Sequence, residues 1–303
     1  MNITKFEDFA AEAKKMPKKA VVAVIQAQDE HTLDAIVNAK KEGIVEARLY
    51  GLTDKITELL KEVGGNPADF EIIQADSEEA AIAAAVADIN AGKASAIMKG
   101  KLDSANFLRA VVSKENGLRG SGKLSLVGFY DPKVYHKLFA VSDMGMNTTP
   151  DVDGKKAIIT NAVGLLRKLG IDKPKVAVLS ESEKVNAKIP ASVDAGAIKE
   201  AWAAGEFAQD AIIEGPISFD LATDAGSAVI KGYSSPVAGD ADLLIVPDVV
   251  TGNVLVKCLT GIAKTNTAGT ILGAKIPVIM TSRSAEASDK FYSIALAALA
   301  SQA

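Results

Sequence analysis

From Ala20 to Ala140 the chain alternates short β-branched runs with longer amphipathic stretches, and this rhythm restricts the possible folds more than any other feature. Val21-Val22-Ala23-Val24-Ile25 precedes a helical pattern near Thr32 to Lys41; Ala47-Arg48-Leu49-Tyr50 precedes a second, from Asp54 to Val63. Strands are predicted again at Phe70 to Ile73, Ala94 to Met98, Leu124 to Phe129 and Leu138 to Val141, with helices over Glu78 to Ala91 and Ser104 to Lys114. Strands alternating with helices predict parallel β-α-β units, a sheet sandwiched by helices, whose ligands bind at the carboxyl ends of the strands.

The stretch from Asp143 to Lys155 reads as a loop, after which a helix to Leu169 and the strand Val176 to Leu179 begin another set of units. That set continues through a helix near Val193 to Ala204, strands at Ala211 to Glu214 and Asp242 to Val246, and a helix from Asn253 to Ile262. A chain of 303 residues suits two lobes of about 150 residues each. The expected architecture is therefore a two-lobed α/β protein with parallel or mixed sheets and a lobe boundary at 143/144.

Bulk chemistry excludes several functions. A formal net charge of -4, without aromatic residues interleaved among basic ones, leaves no footprint for nucleic acid. The N-terminus lacks a basic region followed by a long apolar stretch, and no run approaches the roughly 20 apolar residues that cross a bilayer, so the expected location is cytoplasmic, with no membrane partner. A single cysteine, Cys258, excludes an intrachain disulfide and a cysteine-based zinc cluster, and the two histidines, His31 and His136, exclude a multi-histidine metal site. No metal is predicted.

Several motifs have ordinary explanations. Gly117-Leu-Arg-Gly-Ser-Gly122-Lys123 imitates a phosphate-cradling loop, but Leu124 stands where the magnesium-binding Ser or Thr belongs, and a helix rather than a strand precedes the first glycine. It reads as a helix-ending glycine turn. Asp240, Asp242 and Asp248 flank a predicted strand, where pairing and capping are preferred over a magnesium site. Cys258 lies on an apolar helical face and is expected to fill the core, while His31 and His136 are read as solvated or packing residues.

The chemistry concentrates near the C-terminus. The apolar run closing on Pro277-Val278-Ile279-Met280 gives way to Thr281-Ser282-Arg283-Ser284, with Asp289 and a helical pattern behind it. A strand that delivers an alcohol, a guanidinium and a carboxylate to the first turn of a helix makes an anion site, because helix N-termini expose unpaired N–H groups at the positive dipole end. The same residues also suit simple capping.

Set beside Asp242-Leu-Leu-Ile-Val-Pro247-Asp248, Gly252-Asn253, Lys257, Ala268-Gly269 and Gly273-Ala274, this junction resembles the phosphate acyltransferase (phosphotransacylase) family, which moves acyl groups between coenzyme A and inorganic phosphate. The likeness spans the chain: Ile97-Met98-Lys99-Gly100, Ser104 to Arg109, Ser142-Asp143 with Asn147 and Pro150, Glu214-Gly215-Pro216 and Phe219-Asp220 also match. Met98-Lys99-Gly100, Asn147 to Pro150, Thr281 to Ser284 and Lys290 with Ser293 to Ala297 are most similar to phosphate butyryltransferases. One departure is Ser288, where family members often carry an acidic residue.

The resemblance implies a fold similar to isocitrate and isopropylmalate dehydrogenases. Residues 1–143 plus 270–303 would form the first lobe, through a C-terminal return, and 144–269 the second, with the thiol end of coenzyme A in the cleft between lobes. It also implies a homodimer or larger homo-oligomer. By position, Ser282 would hydrogen-bond the sulfur, Arg283 would hold phosphate and Asp289 would accept the thiol proton. Arg109, Lys99 and Asn147 would bind phosphate or coenzyme A. Coenzyme A is then a substrate, with no tightly bound cofactor. Lacking a cysteine or serine-histidine nucleophile, the chain is expected to transfer the acyl group directly in a ternary complex. The alternatives are a phosphate acetyltransferase, a non-catalytic acyl-CoA-binding regulatory module, and a nicotinamide- and metal-dependent hydroxyacid dehydrogenase.

Overall fold

A computed structural model describes residues 1, 3–120, 122–281 and 285–302. They form two compact units, one of Phe6–Gly122 with Ala268–Ala303 and one of Met1–Lys5 with Lys123–Thr267.

The unit beginning at Phe6 opens with helix α1 (Phe6–Lys14), then β1 (Ala20–Ile25), α2 (Glu30–Lys41), β2 (Val45–Gly51), α3 (Thr53–Glu62), β3 (Glu71–Gln74), α4 (Glu78–Asn90), β4 (Ala96–Lys99) and α5 (Ser104–Val112). Strands β1, β2, β3 and β4 run parallel, β1 in the middle. Val22, Ala23, Val24 and Ile25 have no exposed surface, and burying each large aliphatic side chain contributes roughly 1.5 to 3 kcal/mol. The helices start where their N-caps stand: Asp29 accepts from Thr32 N at 2.8 Å, Ser77 from Ala80 N at 3.1 Å, and Asp103 from Ala105 N at 2.8 Å.

The other unit contains β5 (Ser125–Tyr130), β6 (Phe139–Ser142), α6 (Val152–Lys168), β7 (Lys175–Leu179), α7 (Pro190–Ala203), β8 (Ile212–Ile217), α8 (Phe219–Thr223), α9 (Ala225–Ile230), β9 (Leu243–Ile245) and α10 (Val249–Gly261). Its strands are ordered β5-β6-β9-β7-β8. All pairings are parallel except β5 with β6, which corrects the expected parallel unit there: no crossover helix separates these two strands, so the chain turns back on itself. Residues 1–5 belong here: Ile3 and Thr4 line a cavity with Phe129, Leu138 and Leu166, and at Gly170 (φ 96°) a Cβ would fall 1.9 Å from Met1 O, leaving room only for glycine.

The chain then returns to the first unit as β10 (Thr267–Leu272), β11 (Val278–Ile279) and α11 (Ala287–Ala300). β11 lies parallel to β4 and antiparallel to β10, giving the order β3-β2-β1-β4-β11-β10. The sheets are thus mixed and flanked by helices. The units divide at 122/123 and 267/268, whereas the sequence reading drew its boundaries at 143/144 and 269/270. The reason is strand pairing, since β5 pairs with β6 and β6 with β9.

Gly117 (φ 67°) sits in a turn after α5, and β5, not a helix, follows Lys123. Asp242 accepts from Lys175 N at 2.7 Å and pairs with Lys137 at 2.6 Å, Asp240 pairs with Lys137 at 2.7 Å, and Asp248 caps α10 by accepting from Thr251 N at 2.8 Å. Cys258 corrects the expectation of a core filler: it is exposed. Helix α10 is apolar on more than one face, and Leu255, Val256 and Leu259 occupy the packed side, leaving Val250 and Val254 outside with the thiol.

Candidate active site

Three neighbouring parallel strands of the first unit end together. Ile25 is in register with Lys99, and Met98 with Ile279, so the segments leaving β1, β4 and β11 emerge at one edge, where open α/β sheets bind ligands. The backbone closes tightly there. Gly100 N donates to Ile25 O at 2.9 Å and Lys101 N to Gln26 O at 2.8 Å, and a Cβ on Gly100 would lie 2.2 Å from Gln26 O. A side chain at position 100 would push β4 off β1, so the Lys99-Gly100 pair is a local requirement of this edge.

Lys99, half-buried, donates from Nζ to Leu102 O at 2.9 Å and Gly100 O at 3.2 Å. Its ammonium is thereby curled over the turn leading into α5, whose N-cap Asp103 also accepts from Asn106 N at 3.2 Å. Arg109 is exposed on α5, and its Nη1 donates to Asn106 Oδ1 at 2.9 Å; Asn106 Nδ2 in turn donates to Glu78 Oε2 at 3.2 Å, at the start of α4. Asn106 therefore fixes the guanidinium from one helical turn away, an i,i+3 relationship that the sequence reading passed over.

From β11 the chain runs through Met280 to half-buried Thr281. Ser282 and Arg283, the residues expected to meet sulfur and phosphate, lie outside the described residues. The description resumes at Ala285 and enters α11. There Asp289 Oδ2 accepts from Glu286 N at 3.3 Å, as the third residue of the helix does in a capping arrangement. Buried Ser293 braces this turn by donating to Asp289 O at 2.7 Å and accepting from Gly269 N at 3.0 Å.

Helices α2 and α11 start at the same edge, and one ion pair joins their first turns. Lys290 Nζ lies 3.4 Å from Asp29 Oδ1. Burial acts to raise the Asp29 carboxyl, but hydrogen bonds from Thr32 and the charge of Lys290 outweigh it and hold it below its ordinary value.

Asn147 belongs to the other unit, in the loop after β6. Its Nδ2 donates to Asp143 Oδ2 at 2.5 Å and Leu124 O at 2.8 Å. Buried Asp143 also accepts from Leu126 N, Gly145 N, Met146 N and Asn147 N, at 3.0 to 3.2 Å. The Asn147 amide group is thus part of the scaffold of this loop, and among the described residues no donor reaches its carbonyl oxygen. Of the residues singled out from sequence, the structure gathers Lys99, Thr281 and Asp289 at one sheet edge, sets Arg109 on the adjoining helix, and holds Asn147 in a separately folded loop.

Comparison with known proteins agrees with this architecture. Residues 51–298 match the family described as Phosphate acetyl/butaryl transferase. The chain is 36% identical over 298 residues to a phosphate butyryltransferase of Clostridium acetobutylicum, covering 98% of each chain, and 34% identical over 278 residues to a phosphate acetyltransferase of Thermotoga maritima, covering 92% of this chain and 94% of the relative. Among solved structures, a branched-chain phosphotransacylase from Enterococcus faecalis V583 superposes with a TM-score of 0.82 at 30% identity, covering 93% of this chain and 99% of the other. With more than half its length matched by the family model and full-length relatives above 30% identity, this chain belongs to the phosphate acetyl/butaryl transferase family.

Proposed function

We propose that the chain transfers a short acyl group between coenzyme A and inorganic phosphate, with butyryl-CoA and phosphate giving butyryl phosphate and CoA reversibly. The observation that carries this reading is the match to a phosphate butyryltransferase along 98% of both chains. A phosphate acetyltransferase is the second reading, favoured by the 34% identity to the Thermotoga maritima enzyme.

In the phosphate-consuming direction, a phosphate oxygen attacks the thioester carbonyl, a tetrahedral oxyanion forms, and CoA departs as thiolate, so anionic oxygens and sulfur crowd around one carbon. Cations that neutralise phosphate and orient its attacking oxygen answer that difficulty, and holding both reactants in place is worth roughly 7 to 11 kcal/mol of barrier. We assign phosphate to Arg283 and Arg109, with Lys99 and the Asn147 carbonyl oxygen as further substrate contacts. Ser282 donates to the thiolate sulfur. In reverse, Asp289 takes the thiol proton, a transfer that is uphill between groups with free pKa values of about 3.9 and 8.5 unless the thiolate is stabilised. Transfer is direct, within a ternary complex, and CoA enters as a substrate.

We also assign the protein to the cytoplasm, as a homo-oligomer. Supporting an assembly, α10 exposes an apolar stripe at Val250 and Val254, continued past the helix by Ile262, which are 68%, 59% and 82% exposed. Among the described residues no helix is long and apolar enough to cross a membrane.

The deciding experiment for acyl length compares kcat/KM for acetyl-, propionyl-, butyryl-, isobutyryl- and valeryl-CoA with phosphate. Butyryl-CoA is expected to lead; a maximum at acetyl-CoA selects the second reading.

A further inference from the structure

Lys290 carries a buried charge that the stability of the fold does not explain. Its side chain is only 6% exposed, and among the described residues the one side-chain partner of its ammonium is Asp29, at 3.4 Å. A good charge-assisted bond is about 2.7 to 2.9 Å long, and an ammonium has three donors to satisfy. Asp29 is itself shared, accepting from Thr32 N at 2.8 Å and Thr32 Oγ1 at 2.5 Å. Lys155 offers the contrast within the same protein: it is equally buried, but its ammonium lies 2.6 Å from Asp194.

Position makes the Lys290 charge less favourable still. It sits in the first turn of α11, facing the residue that caps α2, so the positive ends of two helix dipoles lie beside it. Burial, a long ion pair and both dipoles leave the ammonium poorly compensated, and replacing both members of a poorly made buried pair by apolar residues of similar volume commonly costs no stability. An anion arriving at this sheet edge would reverse the balance.

We propose that Lys290 is an anion-binding residue of the acyl-transfer site, a buried and poorly paired side chain that draws the inorganic phosphate oxyanion to the carboxyl ends of β1, β4 and β11. Phosphate is the ligand because it brings net charge to the reacting carbon before any bond changes, whereas the thioester end of acyl-CoA is neutral. The desolvated surroundings that make the ammonium costly also strengthen its attraction for an incoming anion. The inference rests on the acyl-transfer reading for the identity of the reaction, but not for the presence of an anion site.

Its test uses the full chain with Lys290→Met, Lys290→Arg, and the double variant Asp29→Asn/Lys290→Met. Two quantities are measured: the rise in Tm on adding inorganic phosphate, and KM for phosphate and for butyryl-CoA separately. The double variant is expected to melt at or above the wild-type temperature without ligand, Lys290→Met alone somewhat below it because Asp29 loses its partner, and both to lose the phosphate-dependent rise. Its KM for phosphate should increase by about tenfold or more while KM for butyryl-CoA stays within about twofold, and Lys290→Arg should recover most of the difference. An unchanged phosphate response in Lys290→Met overturns the proposal. If Lys290→Met does not fold, the double variant, free of both charges, carries the same expectation; failure of both to fold makes the ammonium structural and overturns it as well. A wild-type protein without turnover whose phosphate-dependent Tm rise still vanishes in Lys290→Met would keep the anion site and reject the acyl-transfer reading alone.

Discussion

The Asp289 carboxylate accepts a hydrogen bond from the backbone N–H of Glu286 at 3.3 Å, so the residue assigned to proton transfer also closes the first turn of α11. The two roles separate by substitution. Asn keeps an oxygen acceptor for the Glu286 N–H but takes no proton. Asp289→Asn is expected to retain thermal stability while kcat for acyl-CoA synthesis falls by roughly 10² to 10⁴, the usual contribution of a positioned base. Asp289→Ala should add a stability loss of about 1 kcal/mol from the missing cap. An Asn variant with wild-type turnover would move the proton to another acceptor.

Arg109 and Asn106 form the second separable pair. Arg109→Ala removes a cation assigned to substrate and should lower kcat/KM for phosphate by roughly 10²-fold, the loss typical of deleting one stabilising donor. Asn106→Ala leaves the guanidinium in place but unguided, so a smaller loss in the same parameter is expected, with wild-type melting. Equal kinetics in Asn106→Ala and wild type would show that its 2.9 Å bond to Arg109 does not position the guanidinium for substrate.

Away from the site, Asp240 ties the entrances of three strands together. Burial acts to raise its carboxyl, but Lys137, Lys175 and His136 hold it far below the ordinary 3.8. A folded-state value below the unfolded one means the stabilisation is complete above the unfolded pKa and is lost as pH falls through the folded value. The wild-type Tm should therefore drop between about pH 4 and pH 2, and Asp240→Asn should flatten that part of the profile. Identical slopes in the two proteins would contradict the assignment.

The exposed stripe on α10 gives a test of assembly. Val254→Asp changes a surface position, so its effect on folding stability should stay within about 0.5 kcal/mol. Sedimentation velocity should nevertheless report a smaller species than wild type. An unchanged sedimentation coefficient, with folding intact, places the interface elsewhere.

Much of this organisation was legible in the residues. The apolar runs of β1, β4 and β7 are buried and flanked by capping residues such as Asp29 and Asp103, so pattern and chemistry agreed. Strand direction was not legible: β5-β6 and β10-β11 are antiparallel, and an apolar run reads the same either way. Helix α1 went unassigned although buried Phe6, Phe9 and Ala13 recur at helical spacing. Cys258 was misplaced because α10 is apolar on more than one face, which leaves periodicity without a direction to report. At the site, Glu286-Ala-Ser-Asp289 spells a helix cap as readily as a catalytic carboxylate, and only the resemblance to a family suggests a proton acceptor there. Lys290 drew notice solely as part of that resemblance, since nothing in a sequence says that a lysine is buried beside a distant aspartate.

The central claim is acyl transfer from CoA to phosphate, and phosphate-dependent release of free thiol from butyryl-CoA tests it most directly. The purified chain should liberate CoA from butyryl-CoA only when inorganic phosphate is present, with one butyryl phosphate formed per thiol, and Arg283→Ala should lower the rate by about 10²-fold or more. Thiol release at the same rate without phosphate, or none with it, would contradict the account.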